Sequence, residues 1–373
     1  MKPWTHCRKI LCIRPDNMGD LIMSSPAIRA LQESFHCRIT LLTSTMASGI
    51  VPFLTGIDEL IQFDAPWVKL NGNEPADDLF ELVKKISAQA FDAAVIFTVF
   101  SQNPLPSAMI AYLAGIPRRL AYCRENPYEL LSDWIPDKEP YSHLQHQVER
   151  DLALVAAIGA RTGDKRLKLQ FADAVWINVR KKLSDAGLGL DQPWLILHAG
   201  VSEEKRRYPL ALWTEAGKEI VNELHCQLIL TGNAAEGAYI QQLKAGIGQN
   251  TINAAGLLSM EEFIVLVSHA ALIISVNTSA VHIAAATGTP MVVLYALSNP
   301  QHTPWMARGK LLPFEIPPEL QSRNEVLRYV QAHHHPKNIP MVMAADILKA
   351  AREVLAGDGN GWIGGVLVPL QVS

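Results

Sequence analysis

Long apolar runs are missing from this 373-residue chain. The most continuous, Ala270–Val276 and Met291–Leu297, are strand-sized, whereas a membrane helix needs roughly 20 apolar residues. The N-terminus offers only Ile10–Ile13 before Arg14, too little for the apolar core of a signal peptide. A basic excess is missing too. Lys plus Arg number 33 and Asp plus Glu 36, so the net charge of −3 argues against a general nucleic-acid binder. Cysteine is scarce and scattered (Cys7, Cys12, Cys37, Cys123, Cys226) with no C-x-x-C pair, which points to a reduced, cytoplasmic chain without a structural zinc site. No G-x-x-x-x-G-K-[ST] phosphate loop occurs, and Ser24, Ser25 and Ser202 lack the G-x-S-x-G elbow of hydrolases. His333-His334-His335 is a poor metal set, because adjacent histidines diverge on a helix and alternate on a strand. Asp77-Asp78 and Glu203-Glu204 read as solvated surface rather than as metal pairs, and no repeat of solenoid spacing is present.

What is present is a core-forming composition, 49% hydrophobic and 18% charged, in a chain long enough for two domains. Short β-type runs alternate with helical stretches. Strands are expected at Lys9–Arg14, Arg38–Thr43, Glu59–Phe63, Ala93–Thr98 and Arg119–Tyr122, then at Trp194–His198, Gln227–Thr231, Leu272–Val276 and Met291–Tyr295. Their continuous Val/Ile/Leu character marks parallel sheets covered on both faces, an α/β class with two doubly wound halves. A boundary is expected near residues 175–192, where an amphipathic stretch meets Gly187-Leu188-Gly189 and Pro193. That gives a first domain over 1–180, a second over 181–356, and a tail, 357–373, whose structure stays open. Ligands of such sheets bind beyond the carboxyl ends of strands, so chemistry is expected after Arg14, His198, Thr231, Val276 and Tyr295.

Three strand ends carry motifs. Arg14-Pro15-Asp16-Asn17-Met18-Gly19-Asp20 joins the first strand to a helix without a G-x-G-x-x-G fingerprint, and Asp20 reads either as a helix cap or as a functional carboxylate. Asn277-Thr278-Ser279-Ala280-Val281-His282 opens a helix whose N–H groups would suit a phosphate, with Asn277 or Thr278 able to cap it. Lys205-Arg206-Arg207 lies between a strand and a helix, where a cation could neutralise a diphosphate. Arg118, Arg119 and Arg124 form a further basic group in the first half.

Together these segments resemble glycosyltransferase family 9, the bacterial heptosyltransferases of the lipopolysaccharide inner core. The resemblance rests on Arg14-x-x-x-Met18-Gly19-Asp20, on Pro26-Ala27-Ile28-Arg29-Ala30-Leu31 and on Arg207-Tyr208-Pro209. It continues in Thr278-x-x-x-His282-x-Ala284-Ala285-x-x-Gly288-Thr289-Pro290 and in Asn299-Pro300, spanning roughly residues 9–305. It implies a GT-B fold of two Rossmann-like domains, acceptor on the first and nucleotide-sugar on the second, and inverting transfer with no required metal or cofactor. Asp20 occupies the position of the family's base. The implied donor is ADP-heptose, with Lys205 or Arg206, Glu236, Asn277, Thr278, Ser279 and His282 on the donor side. The implied acceptor is a lipid-linked saccharide, with Arg14, Arg118 and Arg119 as acceptor-side residues. The implied enzyme is cytoplasmic, touching the membrane at most peripherally and binding no nucleic acid. A catalytically weak sugar-nucleotide-binding protein, a transferase of another donor, and a sugar-nucleotide epimerase are the alternatives. Two positions depart from the family pattern: Asn277 stands where an acidic residue is usual, and Ser279 where Gly is usual.

Overall fold

The computed structural model describes residues 3–68, 76–189, 191–336, 338–357 and 362–363. The chain divides into two compact units, Met1–Lys168 and Leu169–Ser373. The division falls ahead of the expected boundary, because the amphipathic stretch after residue 175 joins the second unit. There Lys182 Nζ meets the Glu262 carboxylate at 2.8 Å, and Trp176 stacks on His269 at 4.2 Å.

In the first unit the order is β1 (Lys9–Arg14), α1 (Met18–Phe35), β2 (Arg38–Thr43), α2 (Thr45–Ser48), β3 (Glu59–Gln62), α3 (Ala76–Ser87), β4 (Ala93–Ile96), α4 (Leu105–Leu113), β5 (Arg118–Cys123), β6 (Asp133–Pro136) and α5 (Gln147–Ala156). The six strands are parallel, in the order β3-β2-β1-β4-β5-β6. This is the Rossmann order, and chain direction reverses its spread between β1 and β4, where α/β sheets open to ligands. β1 and β4, the central pair, are buried almost throughout, as their unbroken apolar runs require.

The second unit repeats the plan with α6 (Trp176–Asp185), β7 (Trp194–His198), α7 (Leu210–Leu224), β8 (Gln227–Thr231), α8 (Gly237–Ile247), β9 (Thr251–Asn253), α9 (Met260–His269), β10 (Ile273–Val276), α10 (Ser279–Thr287), β11 (Met291–Ala296), β12 (Ala307–Phe314), α11 (Glu325–His333), α12 (Ala344–Ala356) and β13 (Trp362–Ile363). Its strand order is β13-β12-β11-β10-β7-β8-β9, parallel except for β13, which pairs antiparallel with β12. The switch point here lies between β7 and β10.

Several motif residues are explained by the chain path alone. Pro26 lies inside α1 and lacks the N–H that would reach the Ile22 carbonyl; Ser25 Oγ donates to that carbonyl instead, at 2.7 Å. Gly288 closes α10 with φ of 78°, a left-handed cap that suits glycine. Thr289 Oγ1 then donates to the Val267 carbonyl at 2.7 Å before Pro290 leads into β11. Tyr208 is fully buried and its hydroxyl donates to the Val342 carbonyl, while Pro209 takes the N-cap position of α7.

Candidate functional site

The first cluster lies at the carboxyl end of β1. Asp20 is the third residue of α1, where its carboxylate accepts the Asn17 N–H at 3.3 Å and closes a capping box. It therefore serves as a cap, and it is also held by charge: Arg14 Nη2 lies 3.4 Å from its other oxygen. Arg14 is wholly buried, and its Nε stands 3.3 Å from Asp16. Three carboxylates, Asp16, Asp20 and Asp151, act on this one guanidinium and raise its pKa above the usual arginine value, overriding the opposing effect of burial, which is the largest single influence.

Behind α1 lies α5. Asp151 is buried, accepting Ser24 Oγ at 2.6 Å and Gln147 Nε2 at 2.9 Å. Burial pushes its carboxyl up to about 6. Arg150, one residue before, donates to the Thr98 carbonyl at 3.0 Å, grips Asp137 with both terminal nitrogens (3.0 and 2.9 Å) and bonds Glu139. Because Thr98 follows β4, these bonds tie α5 to the carboxyl edge of the sheet beside β1.

The arginines expected on the acceptor side fall elsewhere. Arg118 and Arg119 open β5 and so sit at its amino end, away from the edge that carries Asp20. Arg119 is consumed by carbonyls of Ile116, Glu129 and Leu130 and packs over Tyr112 at 5.2 Å, which fastens the turn before β6. Arg118 is buried as well. Their place in the sequence suggested a basic surface; the fold buries both and makes Arg119 an internal support. Arg124, past the carboxyl end of β5, donates to the Phe100 and Glu139 carbonyls. Arg14 is likewise internal, holding Asp20 rather than facing solvent.

The second cluster lies at the carboxyl ends of β7, β8 and β10. Thr278 takes the N-cap position of α10, and no side chain caps the helix there. The first N–H groups of α10 are thus available along its axis, where the helix dipole favours an anion. Asn277, expected as a cap or donor contact, is used differently. Its Oδ1 accepts the Ala296 N–H at 3.0 Å, and its Nδ2 donates to the Ala296 carbonyl and to Ser298 Oγ, both at 3.2 Å. Its amide sews β10 to the end of β11. A carboxylate could take the first bond but could make neither donation.

Arg206 Nη1 donates to the Asn277 carbonyl at 3.1 Å, which brings its guanidinium to the start of α10. Lys205 pairs with Glu203 at 2.7 Å, and Arg206 reaches the same carboxylate at 3.4 Å. Of the two registers, Arg206 is the one tethered beside α10. Arg206→Ala is therefore expected to weaken nucleotide binding by about 10- to 150-fold, a charge-assisted contact being worth roughly 1.5–3 kcal/mol, and Lys205→Ala to weaken it less. Titration calorimetry with ADP checks the order of the two; equal losses would overturn the preference for Arg206, and no loss in either variant would reduce the segment to a solvated charge run.

Glu236 closes a capping box, accepting the Asn233 N–H at 2.7 Å, and its carboxylate lies so close to Gly200 that a Cβ there would collide with it. Glu236 is thereby placed against the ends of β7 and β8. Beside it, His198 Nδ1 and Thr231 Oγ1 are 2.9 Å apart, and burial pushes His198 down to about 4, leaving a neutral imidazole at neutral pH. Ser279 opens α10, and His282 is buried one turn on. No group of three or more metal-ligating side chains occurs among the described residues. No helix among them is long and apolar enough to cross a membrane. The apolar tail segment Val366–Val372 and the Asp77 side chain lie outside the described residues.

Glu203, which pairs with Lys205 and Arg206, and Asp16 and Asp151, which act on Arg14, escaped the sequence reading as site residues. Asp16 lies inside the first motif, so its place was visible. Asp151 belongs to Glu149-Arg150-Asp151, which looks like any exposed charge run.

Two successive Rossmann-like units are the plan of the GT-B fold. Residues 79–342 match the model of glycosyltransferase family 9 (heptosyltransferase), and the chain belongs to that family. Lipopolysaccharide heptosyltransferase 2 of Salmonella typhimurium is 26% identical over 312 residues, 79% of this chain and 85% of that protein. Among solved structures, the family 9 glycosyl transferase from Veillonella parvula superposes with a TM-score of 0.74 at 16% identity, covering 96% of this chain and 99% of that one. The Escherichia coli ADP-heptose lipopolysaccharide heptosyltransferase II superposes with a TM-score of 0.69 at 21% identity, covering 94% and 99%.

Proposed function

We propose that this glycosyltransferase moves heptose from ADP-heptose to a lipopolysaccharide inner-core acceptor, with inversion and without a metal or other cofactor. The placement of Asp20 carries the reading: a carboxylate fixed by a backbone N–H and by Arg14 at the carboxyl edge of the first sheet. Asp20 takes the acceptor hydroxyl proton as that oxygen bonds to the anomeric carbon. The anomeric carbon–oxygen bond to phosphate breaks on the opposite side, and ADP leaves with the electron pair. The start of α10 and Arg206 receive the diphosphate charge, and Glu236 serves the nucleotide moiety. Thr278, Ser279 and His282 complete the donor side. The name of the Escherichia coli relative supports ADP-heptose as donor. The neutral Asn277 gives no support to a binding-only protein, because its amide is occupied by β11. The acceptor is lipid-linked, so the enzyme works at the cytoplasmic membrane face through peripheral contact.

Thermal unfolding with ADP-heptose, GDP-mannose and UDP-glucose tests the donor. A ligand at 100 times its dissociation constant adds about 2.7 kcal/mol to stability, a shift of several degrees. ADP-heptose is expected to raise Tm and the other two to leave it unchanged. An equal rise with all three, or none with ADP-heptose, would refute the donor.

A further inference from the structure

We infer that Gly200 is a positioning residue of the nucleotide site: the space where a side chain of residue 200 would stand is the seat of the Glu236 carboxylate. The role in binding rests on Glu236 serving the nucleotide; the contact between the two residues does not.

The paired strands create the seat. β7 and β8 run in register to their carboxyl ends, His198 opposite Thr231, and the ring nitrogen and hydroxyl of that pair are 2.9 Å apart. Each strand then meets a glycine, Gly200 after β7 and Gly232 after β8, and Glu236 lies in the short turn that follows Gly232. Gly200 is buried. A Cβ on it would overlap the carboxyl carbon and both oxygens of Glu236, and a Cβ on Gly232 would come within 2.8 Å of Glu236 Oε2. Neither glycine has a positive φ, so the backbone at these positions does not itself demand glycine. What bars a side chain at residue 200 is the Glu236 carboxylate.

That carboxylate is held in place with acceptor capacity to spare. Its Oε2 accepts the Asn233 N–H at 2.7 Å, while Oε1 takes no hydrogen bond and the group forms no ion pair among the described residues. An ionised carboxylate only accepts hydrogen bonds, and it repels phosphate. Glu236 therefore suits O–H or N–H donors of the nucleoside, leaving the diphosphate to the start of α10.

A methyl group at residue 200 meets the end of a flexible side chain rather than backbone. Glu236 yields by rotating outward, and the strand end stays where it is. The rotation gives up the bond from the Asn233 N–H, but Asn233 Oδ1 still accepts the Glu236 N–H at 3.1 Å, so the turn before α8 keeps its cap. Gly200→Ala should thus unseat the carboxylate while sparing the fold.

Titration calorimetry with ADP on the full chain, as wild type, Gly200→Ala, Glu236→Ala and the double variant, tests this. Each single variant should weaken ADP binding about tenfold or more. The double variant should bind no more weakly than Glu236→Ala, because without the carboxylate the added methyl group displaces nothing. In turnover, the Gly200→Ala loss should fall on KM for ADP-heptose with kcat little changed. Wild-type ADP affinity in Gly200→Ala beside a loss in Glu236→Ala would overturn the inference and leave Glu236 in the donor site. Wild-type affinity in Glu236→Ala would remove Glu236 from that site and the inference with it. Additive losses in the double variant, or a fall in kcat at unchanged KM, would show that Gly200 does not act through Glu236. If Gly200→Ala fails to fold, the double variant decides: a recovered fold upholds the collision with Glu236, and an unfolded one overturns it.

Discussion

Asp20→Asn should lower turnover by about 10²-fold or more while leaving the affinity for ADP-heptose nearly unchanged. The amide keeps an oxygen for the Asn17 N–H, so the start of α1 survives, but it has no basic lone pair to take the acceptor proton. Arg14 loses one of its carboxylates and retains Asp16 at 3.3 Å, which keeps the buried cation paired. Donor affinity is spared because the groups proposed to hold ADP all lie in the second unit. The check is kcat measured beside the dissociation constant of ADP-heptose. Wild-type turnover in this variant would remove Asp20 from the mechanism; a loss confined to donor affinity would assign it to binding.

Arg150→Met should be the most damaging substitution for the fold of the first unit, at roughly 3–5 kcal/mol, the usual cost of breaking a buried ion pair from one side. Methionine fills the space of the arginine stem beside Tyr122 but leaves Asp137 and Glu139, whose side chains are 5% and 1% exposed, without their main cation. The Thr98 carbonyl loses a donor as well. Urea unfolding at neutral pH, compared with wild type, measures the deficit. Arg166→Met, at an exposed pair with Asp164, is the control and should leave the midpoint almost unmoved. Equal midpoints for Arg150→Met and wild type would show that the Arg150 network contributes nothing to stability.

The sheets were legible in the sequence where strands are buried on both faces. β1, β2, β7 and β8 coincide with their expected bounds because Val/Ile/Leu runs stop abruptly at charged or small residues. The edge strand β3 was expected too, one residue longer than it is, but other strands away from the sheet centres were not visible. β6 (Asp133–Pro136) alternates intermediate and exposed residues and ends in proline, and β12 (Ala307–Phe314) contains Gly309, Lys310 and Pro313, so neither has the composition of a central strand. The helix α5 also went unread, since Gln147-Val148-Glu149-Arg150-Asp151 resembles a surface segment until the fold buries Arg150 and Asp151. The candidate site was legible wherever a motif met a strand end, as with Asp20 and Arg206. It was not legible where a role depends on what a side chain meets in the fold. The expected strand already began at Arg119, but only the structure shows its guanidinium taken up by the Ile116, Glu129 and Leu130 carbonyls.

The Asn277 amide bears on how position 277 varies over mutational time. A carboxylate there would face the Ala296 carbonyl with no proton to offer, and Ser298 would have to rotate from acceptor to donor. The exchange of asparagine for aspartate is thus epistatic with residue 298 and with the path of the backbone after β11. Ancestral chains passing between the two states would be expected to change positions 277 and 298 together rather than one at a time.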